Sequence, residues 1–230
     1  MKITYNGHSC FLIEGDKKKI IIDPFLSGNP NNVIKLEDLK VDYIVVTHGH
    51  SDHIGDTIEL AQKNNCTVIS NYEISKFLSG FKVNVHPMHI GGGHTFEFGY
   101  LKLVPAIHGS GIEMADENVF FEGGHPAGIL LTIGGKVLYH AGDTSLFSDM
   151  KLFGELYDIN VALLPIGDNF TMGPSDAEIA ATWLKAELTI PMHYNTFPMI
   201  EQDAELWVKN LKKKNLEGKV MNPGDFILIE

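Results

Sequence analysis

Two stretches that stand 120 positions apart constrain this chain more than any other feature. "DKKKIIIDPF" is a basic turn and an apolar strand ending in Asp23; "GGKVLYHAGDT" repeats that plan and ends in Asp143. Downstream, "LKVDYIVVTHGHSDH" lines up with "YDINVALLPIGDNF" at the same offset once Val41 is set on Val161. Chance alignment is one reading, because apolar strand patterns are common. The sharper reading is a chain built as two similar halves.

Between these anchors, helices and strands alternate. "DYIVVT" and "VALLPI" are nearly continuous apolar runs, as expected of strands covered on both faces. Residues 100–107, 128–133 and 188–192 also read as strands, and "NPGD" at 222–225 as a turn before a last short strand. A helix is predicted over 175–186, where Ser175 and Glu178 fit an S-x-x-E capping box after Pro174. Ile179, Ala180, Trp183 and Leu184 would form its apolar face. A second helix is predicted from Ile54, Ile58 and Ala61, ending at Asn64-Asn65. Such alternation suggests sheets in the middle and helices outside. One domain over residues 1–230 is the default for this length.

A net charge of −11 argues against a surface that neutralises nucleic-acid phosphates. Lys17-Lys18-Lys19 and Lys212-Lys213-Lys214 read as a hairpin turn and a helix end. Cys10 and Cys66 form no spaced pair, so neither a disulfide framework nor a thiolate zinc site is expected, and a reducing cytoplasm is the natural compartment. No signal-peptide pattern or membrane-length apolar run stands out. Nothing marks an interface segment, so homo-oligomerisation stays open.

The chemistry concentrates in "VVTHGHSDHIGD", residues 45–56, where His48, His50, Asp52 and His53 follow a buried strand directly. Imidazole nitrogen and carboxylate oxygen suit zinc and neighbouring divalent metals. His48 and His50 are spaced to chelate one ion, and Asp52 and His53 to reach a second.

At these residues the chain resembles the metallo-β-lactamase superfamily, whose signature loop "THGHSDH" matches. "MKITYNGHSCFLIE", "IIIDPFLSGNP", "HPMHIGGG", "YHAGDT", "LLPIGDNFTMGP" and "MHYNTFP" extend the resemblance over essentially the whole chain, to a branch of small metal-dependent hydrolases similar to L-ascorbate-6-phosphate lactonase. The resemblance implies an α/β fold, a four-layer αββα sandwich of two similar halves with a dinuclear site at the sheet edges. It also implies a bridging carboxylate, matched by Asp143 in "YHAGD", and one more histidine per metal. His193 follows the strand 188–192. For the other, His86, His89, His94 and His108 all lie in the expected interval, and His108 is preferred because it ends a strand as His48 does. His8, His94, His125 and His140 fall outside the ligand set; His140 is the best candidate for a supporting contact, and His8 for lining the pocket.

Two divalent ions, zinc first and manganese second, would share a water, and hydroxide would be the nucleophile, with Asp52 orienting it and taking its proton. The segment aligned with the metal loop, "GDNFTMG" at 167–173, has no histidine. It is expected to shape the substrate pocket together with "YNT" at 194–196, through Thr171 and Asn195. The leading function is hydrolysis of a small ester, lactone or phosphoester, and the lactonase likeness implies a phosphorylated metabolite. Phosphodiesterase or nuclease action, iron-dependent redox chemistry, and a regulatory module without turnover are the alternatives.

Overall fold

The computed structural model describes residues 1–114 and 119–230. Its first part runs β1 (Lys2–Tyr5), β2 (Phe11–Gly15), β3 (Lys18–Ile22), β4 (Tyr43–Val45), α1 (Ser51–Ile54), α2 (Thr57–Asn64), β5 (Thr67–Asn71), α3 (Tyr72–Ser79) and β6 (Asn84–Met88). The second runs β7 (Gly93–Phe96), β8 (Gly99–Pro105), β9 (Gly111–Glu113), β10 (Phe120–Glu122), β11 (Ala127–Ile133), β12 (Lys136–His140), α4 (Asp149–Leu156), β13 (Ile159–Pro165), α5 (Pro174–Leu184), β14 (Leu188–Met192), α6 (Ala204–Lys213) and β15 (Phe226–Leu228).

Two main sheets result, ordered β15-β1-β2-β3-β4-β5-β6 and β14-β13-β12-β11-β8-β7, with β9 and β10 as a separate hairpin. Alternate residues of the first sheet serve opposite faces, as the two-residue period of a strand requires. Phe11, Ile13, Ile20, Ile22 and Val45 point into the core shared with the second sheet. Leu12, Ile21, Ile44 and Val46 pack instead with Leu60 and Ala61 of α2 and Ile74 and Leu78 of α3. On the far side, α5 lies over β13, and α4 and α6 pack against α5. The layers are therefore helix, sheet, sheet, helix, as the resemblance implies.

The duplication is visible in strand pairing. From β15 to β5 the neighbours pair antiparallel three times and then parallel twice, and from β7 to β14 they do the same. Ile20 faces Tyr43, and His140 faces Leu163, each 120 positions on. Asn65 and Lys185, also 120 apart, end α2 and α5 in the left-handed conformation, their N–H groups bonded to Ala61 and Ala181.

Some local expectations change. The 175–186 helix starts at Pro174 and ends at Leu184, and its N-cap is Gly173 without a side-chain bond, so the capping box does not form. Proline at the first helical position sets the start one residue early. Glu178 is used elsewhere, accepting from Asn210 Nδ2 at 3.1 Å and pairing with Lys214 at 2.8 Å. Ala177, Ala180, Ala181 and Leu184 make the buried face, while Ile179 is exposed. The helix after the metal loop is broken in two at Gly55 (φ 35°), where a Cβ would meet the Pro24 carbonyl at 2.5 Å. Lys17 to Lys19 do sit at the β2–β3 turn and Lys212 to Lys214 at the end of α6. No helix among the described residues is long and apolar enough to cross a membrane.

Candidate metal centre

All seven side chains named as ligands lie just past strand ends. His48 follows β4, His108 follows β8, Asp143 follows β12 and His193 follows β14, while His50 caps α1 and Asp52 and His53 lie on its first turn. Parallel strands open their carboxyl ends on one edge, so four loops from two sheets converge there. Gly49 makes the crowding workable: a Cβ on it would stand 2.6 Å from the Ser110 carbonyl oxygen. His8, Asp23 and His193 hold φ near 56°, 47° and 54°, strained for non-glycine residues and characteristic of functional sites.

Asp143 sits at the centre. Its Oδ2 is 2.9 Å from His193 Nε2, 3.6 Å from His108 Nε2 and 3.9 Å from His48 Nε2, and its Oδ1 is 3.2 Å from His53 Nε2. Donor atoms of His48, His50 and His108 form one group within 4.8 Å of one another, and those of Asp52, His53 and His193, with His8, form another. His86 and His94 pair with each other, ring centroids 4.5 Å apart, and His89 stacks on Tyr72, so neither they nor His125 join the cluster.

Residues behind the cluster fix which nitrogen faces inward. Asp23 is buried; its Oδ1 accepts the Thr47 N–H at 2.8 Å, and its Oδ2 accepts the Thr47 hydroxyl at 2.7 Å and His53 Nδ1 at 2.8 Å. With its proton committed to Asp23, Thr47 Oγ1 accepts from His48 Nδ1 at 3.0 Å. Both imidazoles therefore turn Nε2 toward Asp143, the arrangement that orients metal-binding histidines. His8 Nε2 lies 3.0 Å from Asp52 Oδ2 and its Nδ1 lies 2.9 Å from the Thr196 hydroxyl. His140 donates to the Ser9 carbonyl at 2.9 Å and accepts the Gly142 N–H at 3.1 Å, bracing the turn that carries Asp143. Sequence marked Asp23 only as a repeat anchor, gave Thr47 no role, and placed Thr196 only within the 194–196 segment expected to shape the pocket.

Burial pushes His48 well below the usual histidine range and takes His8, with help from His193, down to about 4. Burial would do the same to His53, but Asp143, Asp23 and Asp52 outweigh it and hold that imidazole well above the usual range. Asp143 is the converse: burial opposes ionisation, yet His193 and His53 keep it a carboxylate. The pocket thus calls for positive charge between Asp143 and its histidines. His53 Nε2 and Asp143 Oδ1 are buried without a hydrogen-bond partner. Once His53 gives up its proton, a nitrogen lone pair beside a carboxylate oxygen is a donor set that fits divalent cations.

The cluster floors a cleft of about 410 Å³, walled by Phe25, Phe170 and Phe197, with Ser51 and Glu113 supplying further polar groups. That volume suits a small molecule. Neither expected substrate contact lines it. Asn195 faces a separate cleft with Glu201, Gln202 and Asp203, and its Oδ1 accepts the Gln202 N–H at 2.7 Å. Thr171 spends its N–H on the Asp168 carbonyl at 2.8 Å and its hydroxyl on the Met172 carbonyl at 3.4 Å. Local side-chain-to-backbone bonds occupy both residues in closing these turns. Phe170 and Phe197, beside or near them, take the wall.

The family model of the beta-lactamase superfamily domain matches residues 2–193. A UPF0173 metal-dependent hydrolase from Bacillus thuringiensis subsp. konkukian is 56% identical over 229 residues, covering 100% of both chains. Igni18, a metallo hydrolase from the archaeon Ignicoccus hospitalis, matches with a TM-score of 0.90 at 37% identity, over 100% of this chain and 98% of that one. The metallo-beta-lactamase fold protein YhfI from Bacillus subtilis matches with a TM-score of 0.73 at 15% identity, over 98% of each, a likeness of fold. The chain belongs to the beta-lactamase superfamily and, within it, to the UPF0173 metal-dependent hydrolases.

Proposed function

We propose that this hydrolase works with two divalent ions, one held by His48, His50 and His108, the other by Asp52, His53 and His193, with Asp143 between them. The observation that carries this is the convergence of seven donors from four strand ends on the buried, unpartnered His53 Nε2 and Asp143 Oδ1. Bound ions of this kind activate water and polarise the bond under attack. The substrate class is a small ester, lactone or phosphoester. Zinc is the first assignment and manganese the second, because histidine and carboxylate donors serve both.

Each of the chain's own groups then has a task. Asp143 is almost wholly buried and serves the ions, whereas about a quarter of the Asp52 side chain is exposed on the cleft. His8 fixes the Asp52 carboxylate through Oδ2, and that carboxylate, a ligand of the second ion, would orient water and take its proton. His8 can fix Oδ2 only as the tautomer that donates from Nε2, which leaves Nδ1 as an acceptor 2.9 Å from the Thr196 hydroxyl. The phenylalanine walls lower the local polarity beside the cluster and so raise the weight of the charges on the floor.

Metal analysis of native-purified protein and of Asp143→Ala, beside a screen of chromogenic lactones, esters and phosphodiesters, tests the reading. Two zinc or manganese ions per chain, lost in the variant together with turnover, are expected. Iron with a visible absorbance would replace it with redox chemistry, and a metal-free native protein would overturn it.

A further inference from the structure

The part of the cleft beyond the metal centre has a chemistry of its own. Phe25, Phe170 and Phe197 form its walls, and the charged group among the lining residues outside the donor set is the Glu113 carboxylate. Glu113 and His50 line this cleft together. The sequence contains no arginine, all 18 of its basic residues being lysines, and none of them lines the cleft. Helix termini offer no substitute there, since α1, which contributes Ser51 and Asp52 to the lining, is a single turn of 4 residues.

Among the described residues that line the cleft, a phosphate arm extending away from the ions would face a carboxylate and three rings, with no guanidinium or ammonium to receive it. Anionic groups are recognised by those donors. Aromatic faces, in contrast, carry negative quadrupole charge and attract cations. Resting on the dinuclear-hydrolase reading for where the reacting bond sits, we infer that the remainder of the substrate is an apolar or aromatic group, neutral or cationic, and that Glu113 is the residue that selects against anions. The phosphorylated metabolite implied by the lactonase likeness finds no cationic side chain for its phosphate among the described residues of this cleft.

Three probes that differ in charge test this by calorimetric titration of the full chain loaded with zinc: benzyltrimethylammonium, benzyl alcohol and benzenesulfonate. The quaternary ammonium is chosen because it has no lone pair for a metal. It is expected to bind about threefold more tightly than the alcohol, the scale of one solvent-exposed charge interaction, and the sulfonate more weakly than either. Glu113→Gln should remove the difference between ammonium and alcohol. Phe170→Ala should weaken both by about three- to tenfold, since half the ring's apolar contact is at stake. Sulfonate binding as tight as ammonium, an ammonium preference that survives Glu113→Gln, or unaltered affinities in Phe170→Ala would each overturn the inference. A chain that hydrolyses none of the screened esters, lactones or phosphodiesters, yet keeps the expected order of probes, would instead overturn the reading of the centre. The two failures are thus separable.

Discussion

The two halves share one plan and divide the work. Up to their strand ends they share one pattern of strand pairing at an offset of 120, with Asp23 and Asp143 both following the strand that pairs antiparallel on one side and parallel on the other. After that the loops differ. Positions 48, 50 and 53 are histidines in the first half, and their counterparts are Asp168, Phe170 and Gly173. One loop supplies donors; the other supplies a wall. Even the two aspartates part company, because Asp23 lies behind His53 and accepts from its outer nitrogen, while Asp143 faces the inner nitrogens of four histidines. A strand end makes a position available for chemistry, and what stands opposite decides which chemistry it performs.

The sharpest way to break this comparison is to alter both aspartates. Asp143→Ala should empty both ion positions and lower kcat/KM by about a thousandfold, the several kcal/mol attributed to metal catalysis. Asp23→Ala should cost about 10- to 100-fold in metal affinity, as supporting partners of ligand histidines do, with activity recovering when excess zinc is added. Metal titration followed by kinetics reads both. Equal and unrecoverable losses would mean that Asp23 serves the ions as directly as Asp143 does.

A second pair, His50 and Phe170, occupies equivalent positions and shares the cleft. His50→Ala should reduce kcat together with bound metal. Phe170→Ala should leave the metal content intact and act through KM, raising it about three- to tenfold for an apolar substrate. A fall in kcat for Phe170→Ala at full metal occupancy would give the wall a part in the reaction itself.

These pairs also show what sequence makes legible. The clustered histidines and aspartates could be found because the loops that carry them follow apolar runs, and a run of that kind ends at a sheet edge. Asp23 has the same sequence setting as Asp143, so its different task depends on Thr47 and His53 being opposite, which only the assembled sheet decides. Asn195 and Thr171 fall outside the cleft lining for a related reason. Their side chains answer to turns, with Asp168, Asn169 and Asn195 all at positive φ, and such turns aim neighbours in directions that residue type does not reveal. The capping box failed because Pro174 began the helix early and Glu178 found Asn210 and Lys214, partners distant in sequence. Glu113 carried no motif at all.

The smallest effect concerns the helix ends that the duplication keeps in register. Asn65 and Lys185 both adopt the left-handed conformation, at φ 48° and 54°, and both are preceded by helices whose last turn bonds back to alanine. Left-handed backbone costs an ordinary residue about 1–2 kcal/mol, whereas asparagine visits it more readily and glycine freely. Lys185→Gly should therefore stabilise the chain by about 0.5–1 kcal/mol, an amount reduced by the extra freedom glycine gives the unfolded chain, while Asn65→Gly should be close to neutral. Urea denaturation of metal-loaded protein measures the difference. A gain at Lys185 alone places the strain in the side chain that the second half happens to carry. Equal gains would place it in the turn both halves inherited, and the offset of 120 would then mark a shared cost in the backbone as well as a shared plan.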